Sequence, residues 1–179
     1  MNKAVKKVLY SQEDIVQRCR ELGEQISRDY AGYDRKVLMV GLLKGSVPFM
    51  AELMKHMTVD CEIDFMDVSS YEGAESTGEI RVLKDLSGSA HDMDIIIVED
   101  IVDTGRTLVT VKEMLMKKGA HSVKIATLLD KPEGRVVGIV PEYIGFTIAN
   151  EFVIGFGLDF NQAYRCLPYV GVLKEEYYK

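Results

Sequence analysis

The sequence predicts an α/β protein whose mostly parallel, twisted sheet is flanked by helices. Short apolar runs at residues 37–43, 95–98 and 123–129 are typical of strands that are buried on both faces. Between these runs lie amphipathic stretches with helix start and stop signals. Buried strands that alternate with helices along a chain usually form a parallel sheet, so both observations favour this class.

The first half of the chain contributes two helices and three strands to this prediction. Ser11 begins a helix that ends before Gly32. The apolar face of this helix is formed by Ile15, Cys19, Leu22 and Ile26. The strand at 37–43 leads into a helix over 46–57, for which Ser46 is a plausible N-cap. An alternating strand at 59–65 and a loop without periodicity then precede a strand near 80–83.

The second half of the chain contains the most apolar strand, at 95–98, which we expect at the centre of the sheet. It is followed by a helix that ends at Gly119 and by the buried strand at 123–129. From Tyr143 onward, short strand-like segments alternate with turns. The C-terminal part therefore contributes strands and turns and no long helix.

Composition narrows the function classes. A length of 179 residues with 47% apolar residues predicts one domain over residues 1–179. A net charge of -6 disfavours nucleic acid or an anionic membrane surface as the main partner. Three widely spaced cysteines, Cys19, Cys61 and Cys166, indicate neither a disulfide framework nor a zinc site. With no signal-peptide or membrane-spanning segment in the sequence, we expect a cytoplasmic protein.

Polar clusters follow each of the three buried strands: LLKGS, VEDIVDTGRT and LLDKPEGR. Ligands of open α/β sheets bind outside the carboxyl ends of the strands. We therefore expect these three clusters to converge on one site.

The stretch VEDIVDTGRTL, residues 98–108, has the chemistry of a phosphorylated-sugar site. Free backbone N–H groups and the hydroxyls of Thr104 and Thr107 surround Gly105 at a helix start, which favours binding of a monophosphate. The adjacent carboxylates of Glu99 and Asp100 suit vicinal ribose hydroxyls, directly or through a divalent cation. The chain lacks the GxxxxGK[ST] and GxGxxG motifs, which argues against the usual nucleotide-binding loops. An ordinary turn with a helix cap is the alternative.

This stretch resembles the phosphoribosyl-diphosphate motif of the type I phosphoribosyltransferases. LLKGS, SSYEG, LLDKPEGR and EFVIGFGLDFNQAYRCLPYVGVLK resemble, in the same order, the other segments of the hypoxanthine-guanine branch of that family. The likeness extends from about Val37 to Leu173. It implies the type I fold, with a small hood of N- and C-terminal elements, near residues 150–175, over the site.

The resemblance also implies a reaction. Ribose 5-phosphate would pass from 5-phosphoribosyl 1-diphosphate to N9 of hypoxanthine or guanine, with Mg²⁺ present and pyrophosphate released. The residues implied for the 5'-phosphate are Asp103, Thr104, Gly105, Arg106 and Thr107, and Arg106 stands where some members carry lysine. Glu99 and Asp100 would hold the ribose hydroxyls and, with Asp159, the metal. Asp103 matches the position of a general base at purine N7.

The remaining implied residues concern the base and the leaving group. Lys131 would donate to the purine O6 atom, which suits a lysine because it offers only donors. Phe152 would stack on the base, and the backbone of Val153 would contact its other edge. Pyrophosphate would be held by Lys44, Gly45, Ser70, Tyr71 and Arg165, with a non-trans peptide near Lys44. Residues 70–81 would form a mobile lid.

Several alternatives stay open at this point. Lys131 also fits a solvated turn, Phe152 a core position and residues 70–81 an ordinary surface loop. The base could be xanthine, and less readily a pyrimidine, because the Lys131 and Phe152–Asp159 segments favour oxopurines. A regulatory, non-catalytic relative that senses nucleotides or binds RNA or protein is the rival class. By resemblance we expect a homodimer or homotetramer.

Overall fold

The computed structural model describes residues 2–70 and 80–178. The described residues form two sheets, three α-helices and two short 3-10 turns. The strands are β1 (Val5–Tyr10), β2 (Val37–Leu42), β3 (Cys61–Ser70), β4 (Ile80–Lys84), β5 (Asp94–Val102), β6 (Ser122–Asp130), β7 (Tyr143–Thr147), β8 (Val153–Ile154) and β9 (Val170–Leu173). The helices are α1 (Gln12–Asp29), α2 (Val47–Met54) and α3 (Arg106–Lys117), and the 3-10 turns are Pro132–Gly134 and Glu175–Tyr177.

The larger sheet has six strands in the order β4-β3-β2-β5-β6-β7. All of its neighbouring strands run parallel except β3 and β4, which are antiparallel. The predicted α/β class with a mostly parallel sheet is confirmed. The apolar strand β5 lies inside the sheet, as its composition indicated, and the carboxyl ends of β2, β5 and β6 therefore lie side by side.

Helices cover both faces of this sheet, which explains why its central strands are apolar on both sides. Ile96 and Val98 of β5 pack in one core cluster with residues of α1 and α2. Ile95 and Ile97 pack in a second cluster with Leu108, Val111 and Leu115 of α3. All four β5 residues are fully buried.

A smaller antiparallel sheet, in the order β1-β9-β8, joins the two ends of the chain. We call it the hood, and it fits the predicted N- and C-terminal hood. Strand β1 was not anticipated from the sequence. Its residues Lys6 and Lys7 are exposed, and its strand conformation comes from pairing with β9, as in the Val5–Leu173 pair.

The structure supports one of the two serines that the sequence placed at helix N-termini. Ser11 caps α1 in a reciprocal capping box with Asp14. The expectation that Ser46 caps α2 was wrong, because Ser46 has helical dihedral angles and its Oγ donates to the Leu42 carbonyl at 2.6 Å. Within residues 2–70 and 80–178, no helix is both long and apolar enough to cross a membrane.

Candidate active site

A cavity of about 220 Å³ opens at the carboxyl ends of β5 and β6, where the sequence placed its site. Its walls are Asp100, Ile101 and Asp103 after the core of β5, Lys131 after β6, and Phe152, Val153, Leu158 and Asp159 from the hood and its following loop. The larger sheet and the hood thus meet at this cavity. Six of the predicted site residues line it together.

The end of β5 departs from the regular alternation of a strand. Val98 and Ile101 both belong to the core cluster on the α1 and α2 side, whereas strict alternation would place them on opposite faces. Val102 turns instead toward the α3 side. This change of face lets Asp100 and Ile101, although adjacent in sequence, both line the cavity.

The two adjacent carboxylates at this point lie in a poorly solvated environment. Burial, and to a smaller extent the neighbouring Asp100 carboxylate, raise the pKa of Glu99 well above its usual range. Burial also raises the pKa of Asp100 to about 6, against the opposing effects of the Ile101 backbone N–H and the Arg165 guanidinium. Both carboxylates are therefore costly to ionise in the ligand-free protein, which is typical of groups that await a ligand.

The loop after β2 approaches Asp100 more closely than a side chain would allow. A Cβ atom on Gly45 would lie 1.7 Å from Asp100 Oδ2, so only glycine fits there. Gly157, at φ +101°, comes equally close from the other side, because its Cβ would lie 2.0 Å from the Gly45 carbonyl oxygen. The peptide bond between Leu43 and Lys44 is cis, which agrees with the non-trans peptide that the resemblance implied near Lys44. The Lys44 side chain is exposed.

The turn after β5 leads into α3 without a side-chain cap. Gly105 occupies the N-cap position with φ 80°, in the left-handed region that favours glycine, and provides no capping hydrogen bond. The first backbone N–H groups of α3 are therefore not satisfied by a capping side chain. Thr104 and Arg106 are exposed and Thr107 is half-buried around this helix start. An anion is the natural partner for such a terminus.

The loop after β6 fixes this turn through three consecutive carbonyl groups. The Lys131 backbone N–H donates to the Val102 carbonyl at 2.9 Å, and the Val136 N–H donates to the Thr104 carbonyl at 3.2 Å. Between them, Arg135 Nε donates to the Asp103 carbonyl at 2.8 Å. The carbonyl groups are thus used for positioning, while the N–H groups and side chains remain available to a ligand.

Arg135 is a residue that the sequence reasoning missed. Besides the Asp103 carbonyl, its guanidinium contacts the Ile139 carbonyl and forms a salt bridge with the Asp130 carboxylate. The side chains of Arg135 and Asp130 are only 13% and 9% exposed, so neither charge is well solvated. Asp130 and Arg135 are five positions apart, a separation that matches neither the period of a helix nor that of a strand. No sequence pattern therefore linked the two residues.

Lys131 reaches Asp103 at the mouth of the cavity. Its Nζ lies 3.5 Å from Asp103 Oδ2, and the lysine side chain is 10% exposed. The interpretation of Lys131 as a solvated turn residue is therefore wrong. Asp103 is about half exposed, and a Cβ on Gly134 would lie 1.8 Å from its Oδ1. Asp103 thus presents a solvent-accessible carboxylate beside a buried ammonium group.

The hood supplies an aromatic wall. Phe152 is 38% exposed and lines the cavity, so it is not a core residue. Val153, at the start of β8, is buried beside it. A flat apolar ring at a cavity mouth suits stacking with a planar ligand.

Asp159 and Arg165 form an ion pair beside Asp100. Arg165 Nη2 lies 2.8 Å from Asp159 Oδ1, and Arg165 Nη1 donates to the Gly157 carbonyl at 2.7 Å. The other Asp159 oxygen accepts from the Gln162 N–H at 2.8 Å. Both side chains are about a quarter exposed. The pair thus borders the cavity with both charges still accessible to a phosphate or a cation.

Magnesium fits this set of oxygen donors only with help from a ligand. Among the described residues, no group of three or more His, Cys, Asp or Glu side chains could hold a metal alone. Asp100 and Asp159 do line one cavity, and Mg²⁺ is commonly bound by one or two carboxylates together with substrate phosphates.

The side chain of Ser70, Tyr71 and most of the predicted lid at 70–81 lie outside the described residues.

Known proteins are similar to this chain in both sequence and fold. Residues 6–161 match the model of the phosphoribosyl transferase domain. A hypoxanthine-guanine phosphoribosyltransferase of Streptococcus pyogenes serotype M3 is 56% identical over 175 residues, 97% of this chain and 96% of that protein. A hypoxanthine phosphoribosyltransferase crystal structure from Staphylococcus aureus has a TM-score of 0.94 at 47% identity, covering 98% of this chain and 95% of its own. A Trypanosoma cruzi hypoxanthine phosphoribosyl transferase has a TM-score of 0.95 at 36% identity, covering 99% and 96%.

We predict that Asp100→Asn stabilises the ligand-free protein at neutral pH. Because the folded-state pKa of Asp100 is raised to about 6, its ionisation favours unfolding, and its contribution to stability is lost as pH rises from about 4 through 6. The amide avoids this cost, so the free energy of unfolding in urea should rise by about 2–3 kcal/mol at pH 7 and by less than about 1 kcal/mol at pH 4. Asp60→Asn, at an exposed carboxylate, is the control. An equal gain at both pH values would contradict the assignment.

Proposed function

This chain belongs to the phosphoribosyltransferase family, and we infer that it is a purine salvage enzyme that transfers the 5-phosphoribosyl group from 5-phosphoribosyl 1-diphosphate to N9 of hypoxanthine or guanine. The products are IMP or GMP and pyrophosphate. The observation that carries this proposal is the single cavity in which Asp100, Asp103, Lys131 and Phe152 meet beside the uncapped start of α3.

The sugar phosphate would bind first to the larger sheet. The N–H groups of Thr104 to Thr107 and the positive end of α3 would hold the 5'-phosphate. Glu99 and Asp100 would accept hydrogen bonds from the ribose hydroxyls. These hydroxyls would give the two poorly solvated carboxylates polar partners. Because hydrogen bonds from the main chain fix this turn, the anomeric carbon would be presented in one orientation.

The leaving group would lie between the loop after β2 and the Arg165 side of the cavity. The N–H groups near Lys44 and Gly45 and the Arg165 guanidinium would contact pyrophosphate, with Ser70 and Tyr71 from the lid. When bound, Mg²⁺ would offset the negative charge of the diphosphate, held by Glu99, Asp100 and Asp159 together with ligand oxygens. Closure of residues 70–81 would exclude water from the cation-like ribose.

The base would enter under the hood. Phe152 would stack on one face of the purine, the Val153 backbone would contact its edge and Lys131 would donate to O6. Asp103 would accept the proton from N7 as N9 forms the new bond. A base without an oxygen at position 6 would leave the Lys131 donors unpaired.

We further propose that residues 1–179 act as one domain, with the hood and the lid completing the site over the larger sheet. As the sequence led us to expect, we propose that the protein is cytoplasmic and forms a homodimer or homotetramer. Nothing in the site favours the pyrimidine or the regulatory alternative. Xanthine differs from guanine only at C2, so it belongs in the test.

The direct test is pyrophosphate release in the presence of 5-phosphoribosyl 1-diphosphate, Mg²⁺ and one base at a time. Hypoxanthine and guanine should give turnover on the order of 1–10³ per second, with xanthine slower and adenine and uracil near background. Release with none of the five bases would contradict the proposed activity. Release with uracil alone would contradict the proposed base subsite.

Asp103→Asn should lower kcat by about 10²–10⁴-fold while the KM for 5-phosphoribosyl 1-diphosphate changes less than about threefold. The amide keeps the shape of the carboxylate but cannot accept the N7 proton. Asp60→Asn, at the exposed position just before β3, serves as the matched control and should retain wild-type kinetics. Equal losses in kcat and in diphosphate-sugar affinity would assign Asp103 to ligand binding alone.

Lys131→Gln should reduce the preference for hypoxanthine over adenine by about 10–100-fold in the ratio of kcat/KM values. Glutamine offers an acceptor as well as a donor and can therefore pair with a 6-amino group. Lys117→Gln, at an exposed position in the last turn of α3, is the matched control. An unchanged preference would mean that Lys131 does not contact position 6 of the base.

A further inference from the structure

The C-terminal tail after β9 folds back onto the hood. The Leu173 N–H donates to the Phe152 carbonyl at 2.8 Å, and the Lys174 N–H donates to the Ala4 carbonyl at 2.9 Å. The 3-10 turn at Glu175–Tyr177 then reverses the chain, with the Tyr178 N–H donating to the Glu175 carbonyl at 3.1 Å. These bonds bring the tail back to Phe152, the residue that precedes β8.

The turn brings the ring of Tyr178 onto the ring of Phe152. Their centroids are 4.9 Å apart and their planes differ by 19°, which is a stacked pair. Phe160 meets the same Phe152 ring edge-on, with centroids 5.6 Å apart and planes at 86°. Two aromatic neighbours thus define both the plane and the rotation of the Phe152 ring.

One face of Phe152 remains open. Phe152 is still 38% exposed with both neighbours in place, and it lines the cavity with Asp103 and Lys131. Tyr178 packs with the hood's own apolar cluster and is not among the residues that line the cavity. The tyrosine therefore covers the face of Phe152 that points away from the cavity.

We propose that Tyr178 is a positioning residue for the base: by stacking on the outer face of Phe152, it fixes the ring whose inner face stacks on the purine. The inference rests on the proposed function, because it assumes that the purine stacks on Phe152. It assigns a role in base affinity to the 3-10 turn after β9, which is distant in sequence from the motif proposed to bind the sugar phosphate.

The physical reason is preorganisation. A half-exposed phenylalanine ring is free to change rotamer. When a ligand stacks on it, the ring loses conformational entropy, and this loss weakens the binding free energy. With Tyr178 in place the ring is already ordered, and the base completes a stack of three rings. Because the ring contact of Tyr178 is with Phe152, which we assign to the base, its effect should be confined to binding of the base.

The test compares four forms of the protein with residues 1–179: wild type, Tyr178→Ala, Tyr178→Phe and Tyr177→Ala. Tyr177 packs on the same apolar cluster of the hood but makes no ring contact with Phe152 among the described residues, so it controls for general loosening of the tail. Initial rates are measured with hypoxanthine varied at saturating 5-phosphoribosyl 1-diphosphate, and then the reverse. Calorimetric titration with IMP reports equilibrium binding independently of turnover.

Tyr178→Ala should raise the KM for hypoxanthine and the Kd for IMP by about 3–10-fold, whereas the KM for 5-phosphoribosyl 1-diphosphate stays within twofold. Tyr178→Phe should restore both values, since it keeps the ring. A base KM that is unchanged in Tyr178→Ala, or that rises equally in Tyr177→Ala, would overturn the proposal. Wild-type protein that is inactive with every base would instead remove the proposed function itself, and the two failures are therefore distinguishable.

Discussion

The burial of two adjacent carboxylates at the end of the central strand is the constraint on which the site depends. The apolar residues of β5 are buried on both faces, and Glu99 and Asp100 follow them near the carboxyl end of the strand, where burial raises the pKa of both carboxylates. The Gly45 backbone lies so close to the Asp100 carboxylate that a residue with a side chain would not fit at position 45. Such an arrangement costs stability in the ligand-free protein and becomes favourable when hydroxyl groups or a cation reach the carboxylates.

The surrounding contacts keep this costly arrangement in one geometry. Carbonyl groups of three successive residues, Val102 to Thr104, receive hydrogen bonds from the loop after β6, and Arg135 joins that loop to Asp130 at low solvent exposure. The same loop carries Lys131, so hydrogen bonds connect the residue proposed to contact the base with the turn proposed to hold the phosphate. The hood adds Phe152 and Asp159 from the other side, which makes the cavity a junction of two sheets.

Sequence reasoning succeeded where signals are local. Apolar runs located the buried strands, and polar clusters at three strand ends located the site, because the carboxyl ends of parallel strands share one edge. It failed where the cause is distant in sequence: β1 is a strand through its pairing with β9, and Arg135 is fixed by carbonyl groups around thirty residues away. Ser46 shows a second kind of error, since its hydroxyl had a competing acceptor in the Leu42 carbonyl. The roles of Asp103 and Lys131 came from resemblance, and their proximity came from the structure.

The central claim is that the end of β5 and the start of α3 together bind ribose 5-phosphate. It is tested most directly by a crystal structure of the protein with 5-phosphoribosyl 1-diphosphate and Mg²⁺. The account predicts the 5'-phosphate within hydrogen-bond distance of the N–H groups of residues 104–107, and the ribose hydroxyls or their metal ion on Glu99 and Asp100. A ligand bound elsewhere in a fully occupied crystal, with that turn left empty, would contradict it.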